Sequence, residues 1–352
     1  MGLDDVSVVA NAVSSATSAA DGNAIDVVVV GACNIDNISY VPRLPVAGET
    51  IRAIRHQYGF GGKGANEAVT AAKLGSKTAL ISKLGDDDWG QKYKENLAKF
   101  NVCAEHVGVV AGRNTGIAQI NVTDNGENQI VIIPGANDAL TTTDIEEAQE
   151  LLDSSKLQIN DALIFYEFKV LLCQLETPIP VTLAALRRFK HGVSILNISP
   201  APSENTLEFF ILPTVLVMNQ VEAAAMSKRD VPDKEEAKRA LSNFLCLGCR
   251  TVIITMGAEG AMFAEATDPR PIMVHAPRVP EVLDTTGAGD AFVGALAHYW
   301  AKYPDIPLVR KVGGAVAIAT MSVQQYGTQS SYPLAKDLRF DINLKHFDWK
   351  YV

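Results

Sequence analysis

The stretch DTTGAGDAFVGAL, Asp284 to Leu296, packs two threonines, two glycines and two aspartates into seven residues and runs on into AFVGALAHYW, which has helical spacing. Gly287, Ala288 and Gly289 carry almost no side chain, so a ligand can approach their backbone N–H groups closely. A helix opening at such a loop adds the positive end of its dipole, and the pair makes an anion site suited to phosphate oxygens. Asp290, in the first helical turn, is placed to accept a proton from an attacking hydroxyl. The plainer reading is a helix start with Asp set favourably against the dipole, so the rest of the chain has to decide.

Upstream, IDVVVVGA (Ile25–Ala32) is a β-branched run that stops at glycine, the pattern of a buried strand ending in a loop. TALISKLG, VLLCQLE, SILNIS, TVLVMN and TVIITMG repeat the pattern. Between them, helical spacing over 65–74, 89–100, 181–190 and 235–247 alternates with the strands. This predicts an α/β fold with a central, mainly parallel sheet flanked by helices. Two regions break the alternation: 38–60 is polar and turn-rich, and TGIAQINVTDNGENQIVIIPG (115–135) reads as two strands about an Asn-Gly turn. Together they predict a small β-sheet lid on one α/β domain spanning 25–352. In open α/β sheets ligands bind beyond the carboxyl ends of the strands, so residues just past each strand are the ones to inspect.

Composition sets the outer bounds. The 352 residues suffice for a large core, and a net charge of −9 argues against nucleic-acid and anionic membrane surfaces as partners. No apolar run approaches the length of a membrane span. Five scattered cysteines read as reduced thiols, and the Cys246–Cys249 CxxC lacks the second pair that a zinc site needs. Residues 1–24, rich in Ala, Ser and Asp, are expected to be a disordered tail without targeting character.

Three more polar clusters follow predicted strands. GACNID places Asn34 and Asp36 where an amide and a carboxylate can hold adjacent hydroxyls; the alternative is a polar turn. GGKGAN offers Gly61 and Gly62 for close backbone approach, then Lys63 and Asn66 in a first helical turn, and CQLE ends a strand on Glu176. Taken singly, Lys63 and Glu176 would more often be solvated. VMNQVEA carries Asn219 and Glu222 on one side of a turn, and TMGAEG (Thr255–Gly260) adds a second glycine-rich loop or, alone, a hairpin turn.

DTTGAGDAF and GGKGANEAVTAAKLG (Gly61–Gly75) resemble the two signatures of the ribokinase-type (pfkB) carbohydrate kinases, and the order of motifs agrees from about residue 25 to 335. The resemblance implies a kinase that transfers phosphate from ATP to the 5-hydroxyl of D-ribose. Asp290 would be the general base and the Gly287-Ala288-Gly289 amides the anion hole. It assigns sugar contacts to Asn34, Asp36, Gly61, Gly62, Lys63, Asn66, Glu176 and Asp290. To the nucleotide it assigns Asn219, Glu222, Thr255, Gly257, Gly260 and the Gly287–Gly289 loop. It further implies Mg²⁺ reached through water by Glu222, and a K⁺ site at Asp284, Thr286, Gly327 and Ser331. A homodimer through the β lid and a cytoplasmic location, with the nucleus second, belong to the same expectation. The competing acceptors are 2-deoxyribose, fructose and adenosine; from another class, a non-catalytic sugar-binding regulator would keep the sugar residues but need neither base nor anion loop. One departure stands out, the aromatic stretch 165–169 just before the Glu176 strand, which would be an insertion or a lengthened connection.

Overall fold

The computed structural model describes residues 24–123, 128–153, 156–159, 162–165, 169–339, 341–342 and 346–352. The expected tail, but for residue 24, and the Asn125-Gly126 turn lie outside the described residues. In chain order the elements are β1 (Val27–Val30), β2 (Asn34–Val41), β3 (Arg55–Gly61), α1 (Lys63–Lys73), β4 (Thr78–Gly85), α2 (Asp88–Lys99), β5 (Val102–Cys103) and β6 (Val107–Val110). Next come β7 (Gly116–Thr123), β8 (Asn128–Ile133), α3 (Thr142–Glu147), α4 (Gln149–Leu152), β9 (Lys156–Ile159), β10 (Ala162–Phe165), β11 (Val170–Cys173), α5 (Ile179–Arg188), β12 (Val193–Asn197) and α6 (Glu208–Ile211). The chain continues with β13 (Val215–Asn219), α7 (Gln220–Ser227), α8 (Lys234–Cys246), β14 (Thr251–Thr255), β15 (Gly260–Glu265), β16 (Asp268–His275), α9 (Ala288–Lys302), α10 (Leu308–Ser322) and β17 (Trp349–Tyr351).

The large sheet runs in the order β17-β16-β15-β14-β13-β12-β11-β1-β4-β5, with β6 also on β4. It is parallel from β5 to β14 and antiparallel from there to β17. The VVVV run of β1 shows why these strands read as continuous apolar segments. Val27 and Val29 pack into the core beneath α1, α9 and α10, whereas Val28 and Val30 pack into the core beneath α5, α7 and α8. A strand covered on both faces has no solvent side to alternate with.

The lid is a second sheet of order β3-β2-β7-β8, with a small core of Ile38, Ala118, Ile120 and Val122. It begins earlier than 38–60 implied. Asn34 and Asp36 do not sit in a turn; they open β2, on the same strand face as Ile38, because the chain passes from β1 into the lid within three residues. The aromatic stretch contributes Phe165 to β10, which among the described residues pairs with β9 alone in a separate hairpin, while residues 166–168 lie outside the described residues. The hairpin leaves the main sheet intact: β11 keeps an unbroken parallel register with β1 from Val27↔Val170 to Val30↔Cys173. The strand that delivers Glu176 is undisturbed.

Candidate active site

Two helix N-termini meet over the carboxyl ends of β1, β11, β12, β13 and β14. The first belongs to α1. Gly62 has φ 86°, and a Cβ there would lie 2.6 Å from the Asn34 nitrogen, so only glycine lets α1 start against the β1–β2 turn. The second belongs to α9, which starts at Gly287 with φ 76°. The helices cross closely because Gly294 has no side chain; a Cβ there would lie 2.5 Å from the Glu67 carbonyl oxygen. That approach brings Asn66 of α1 to Asp290 of α9, and the Asn66 amide donates to Asp290 Oδ2 at 2.8 Å.

A cavity of about 530 Å³ lies between these N-termini and the lid. Asn34, Asp36, Gly62, Lys63, Asn66, Glu176 and Asp290 all line it, and Ala118, Ile120, Ile130 and Ile132 of the lid roof it. Its side chains hold one another. Glu176 accepts the Lys63 backbone N–H at 2.8 Å and lies 3.4 Å from the Asn34 amide, and Lys63 Nζ stands 4.0 Å from Asp290 Oδ1. Gly61 is excluded from the lining but its role is steric, since a Cβ there would run into the Asp36 carboxylate.

Burial dominates the electrostatics. It raises the pKa of Asp290, with Lys63 and the Asn66 amide pulling the other way. It pushes Asp36 up to about 8, against the Thr328 hydroxyl bond and with help from the Glu176 and Asp290 charges. Glu176 is also raised by burial, with Lys63 opposing. For Lys63 burial disfavours the ammonium, but Asp290, Glu176, Glu222 and Glu67 outweigh it and hold the pKa above the ordinary lysine value. The cavity thus holds one firm cation among several acids of raised pKa, an arrangement typical of functional sites.

A second, largely apolar cleft of about 640 Å³ adjoins the first. Val282, Phe292, Val316, Ala319 and Val323 form its walls, and Gly257 and Gly260 bring backbone to its edge. TMGAEG is a 3-10 turn (Gly257–Glu259) between β14 and β15. The turn joins antiparallel strands, as the hairpin reading expects, and it also lies along the cleft. The cleft and the cavity share Thr255, Thr285 and Gly289. Gly287 faces the cavity and Ala288 the cleft, while the Ala288 N–H donates to the Thr285 carbonyl at 3.2 Å.

Asn219 and Glu222 are reciprocal caps of α7. Each side chain accepts the other residue's backbone N–H at 2.8 Å, and both line the cavity. Glu222, raised by burial, offers a hard oxygen that fits a water-mediated contact with Mg²⁺. Among the described residues no group of three or more His, Cys, Asp or Glu side chains is arranged to hold a metal ion. Asp284 ties two loops: Oδ1 accepts the Thr286 N–H at 2.9 Å, and Oδ2 accepts the Gly327 N–H at 3.0 Å and the Tyr40 hydroxyl at 3.1 Å. Thr286 Oγ1 is buried without a hydrogen-bond partner beside this carboxylate, which fits a K⁺ at the expected position. The Ser331 hydroxyl donates to the Thr328 carbonyl at 2.8 Å.

Several residues were not singled out from sequence. Thr328 lies 2.9 Å from Asp36 Oδ2 and 2.8 Å from the Phe60 carbonyl; its position inside GTQSS was the available signal. Asn137 donates to Asn34 Oδ1 at 2.8 Å and accepts the Cys33 N–H at 2.9 Å, and nothing local marked it. Asn197 lines the cavity and donates to Glu67, a buried carboxylate on α1 whose pKa burial raises well above the usual range.

The family model described as pfkB family carbohydrate kinase matches residues 24–335. A mouse ribokinase is 40% identical over 314 residues, covering 89% of this chain and 93% of the relative. A deoxyribokinase of Salmonella typhi is 35% identical over 311 residues, 88% and 96% of the respective chains. The structure of an Arabidopsis thaliana ribokinase complexed with ribose and ATP superposes with a TM-score of 0.75 at 27% identity, covering 89% of this chain and 97% of that one.

Proposed function

Because the chain belongs to the pfkB family of carbohydrate kinases and is an ATP-dependent sugar kinase, we propose that its acceptor is D-ribose and its product D-ribose 5-phosphate. The observation that carries the reading is the junction of the two pockets. A compact cavity of hydroxyl-binding groups and an apolar cleft open onto one another at Thr285 and Gly289, with Asp290 beside the seam. The cleft suits an adenosine, leaving the γ-phosphate at the α9 N-terminus and the sugar in the cavity.

In this mechanism Asp36, Asn34 and Glu176 hold the sugar hydroxyls and orient the 5-hydroxyl toward Asp290. As that oxygen attacks the γ-phosphorus, its proton passes to the Asp290 carboxylate and ADP leaves in line. The Gly287 and Gly289 N–H groups and the α9 dipole stabilise charge on the transferring group, the Ala288 N–H being committed to the Thr285 carbonyl, and Lys63 balances the acids around it. Bound Mg²⁺ would neutralise phosphate charge, with Glu222 turned toward its waters, and K⁺ near Asp284 and Thr286 would brace the loop.

The test is ADP release by purified protein across D-ribose, 2-deoxyribose, fructose and adenosine, with a no-acceptor control. Turnover highest with D-ribose supports the reading. The deoxyribokinase relative makes 2-deoxyribose the rival acceptor, and a higher kcat/KM for it would replace D-ribose in the scheme. The same reading includes a homodimer through the lid, supported by exposed Val131 and Ile133 on β8 and Tyr58 on β3. Sedimentation should show a dimer that Val131→Asp weakens. A cytoplasmic location is in keeping with the five free cysteines.

A further inference from the structure

A buried file of side chains runs from the backbone of the acceptor site to Asp290, and its polarity is set at one end. The Gly61 carbonyl can only accept, so the Tyr93 hydroxyl donates its single proton there. The Tyr93 oxygen is then left to accept, and it does so from Gln329 Nε2 at 3.1 Å. The NH₂ of Gln329 is thereby turned inward, and the same nitrogen donates to Asn66 Oδ1 at 3.1 Å. The outward oxygen of Gln329 accepts the Asn96 amide at 2.7 Å, and its backbone carbonyl accepts Lys73 Nζ at 2.6 Å, so the residue is anchored at both ends. With its oxygen engaged by Gln329, Asn66 presents its own NH₂ to Asp290 Oδ2. The opposite orientation would set the Asn66 oxygen against a carboxylate.

We propose that Gln329 is a positioning residue for phosphoryl transfer. By fixing the Asn66 amide it keeps a donor on Asp290 Oδ2 and leaves Oδ1, the oxygen nearer Lys63, for the acceptor hydroxyl. This inference rests on Asp290 being the base. Gln329 is 3% exposed and lines neither pocket, so it acts through Asn66 and not on substrate.

The ionisable groups facing Asp290 are Lys63 and Glu67 from α1, Asp36 from β2, Glu176 after β11, Glu222 from α7, and Tyr332. Tyr93→Phe and Gln329→Leu leave all of them in place, so a moved acidic limb of the kcat profile reports the Asn66–Asp290 bond. Gln329→Leu removes both inward donors, so Asn66 Oδ1 loses the partner that holds it and the amide no longer sits fixed on Asp290 Oδ2. The expected result is kcat lower by about tenfold, D-ribose KM changed less than about threefold, and the acidic limb of kcat shifted upward by about half a pH unit or more. Tyr93→Phe releases Gln329 and should shift the limb the same way by less, which keeps the test open if Gln329→Leu does not fold. An unmoved acidic limb in a folded variant overturns the proposal. Asp290→Asn separates the two failures: if it retains turnover, the base assignment falls; if it abolishes turnover while the limb stays put in both other variants, only the role of Gln329 falls.

Discussion

The polar cavity and the apolar cleft share a seam but are built on opposite principles. In the cavity, buried side chains recognise and hold one another: Asn34, Asp36, Asn66 and Asp290 are almost wholly removed from solvent, and most of their polar atoms are committed. In the cleft, apolar walls and glycine backbone make a surface with few directional groups. The first can discriminate among acceptors, because a missing hydroxyl would leave a buried polar group unpaired, whereas the second gains affinity mainly by removing apolar area from water. Substitutions on the two sides should therefore separate cleanly in kinetics.

The largest effect belongs to the seam. Asp290→Asn keeps the shape and the Asn66 contact side but removes the proton acceptor, and kcat should fall by about 10³-fold. Sugar affinity measured by titration calorimetry should change little. Retained turnover would show that the cavity binds acceptor without supplying the base.

On the cavity side, Glu176→Ala removes an acceptor that also fixes the Lys63 N–H and the Asn34 amide. The loss of a charged hydrogen bond corresponds to roughly 1.5–3 kcal/mol, or about 10- to 100-fold in sugar KM. ATP KM should stay within about twofold, and a comparable rise in both would mean that the two pockets are not independent.

This contrast also governs what could be read from sequence. The places of Gly62, Gly287 and Asp290 were legible because a glycine-rich turn that runs at once into a helix is a local pattern. The alternation of β-branched runs with helical segments was legible for the same reason. Asn137 was not, since it meets Cys33 and Asn34 across more than a hundred residues and only the packing of the segment after β8 against β2 reveals it. The cleft was the least legible: Val316, Ala319 and Val323 have ordinary helix-core spacing, and nothing distinguishes a residue that buries itself against a neighbour from one that lines an open cleft. The extent of β2 was misjudged because a strand that serves a cavity carries Asn and Asp where a strand that serves a core carries Val.

On the cleft side, Val316→Ala tests that last point. Val316 lies on α10 and faces the cleft. Removing about 1 kcal/mol of apolar contact should raise ATP KM about fivefold and leave sugar KM unchanged. An unchanged ATP KM would place the nucleoside elsewhere.

The smallest effect is a pH dependence confined to the cavity. Burial lifts the Asp36 carboxyl from 3.8 to about 8, so near neutral pH the free protein keeps a proton there. A sugar hydroxyl donating to Asp36 favours the ionised form, and ionisation precedes binding. Between pH 7.5 and 8.5 the ionised fraction rises about threefold, and sugar KM should fall by the same factor while ATP KM does not follow. Stability runs the other way. A carboxyl whose folded pKa exceeds its unfolded value binds its proton more tightly in the folded state, so its contribution is fully present below about pH 4 and is lost as pH rises through about 8. Glu67, Glu176 and Glu222 are shifted in the same direction, so Asp36→Asn should flatten only part of the decline in Tm. The same variant should abolish the slope in sugar KM. A KM slope that survives Asp36→Asn would assign the titration to another acid of the cavity, with Glu176 the next to replace.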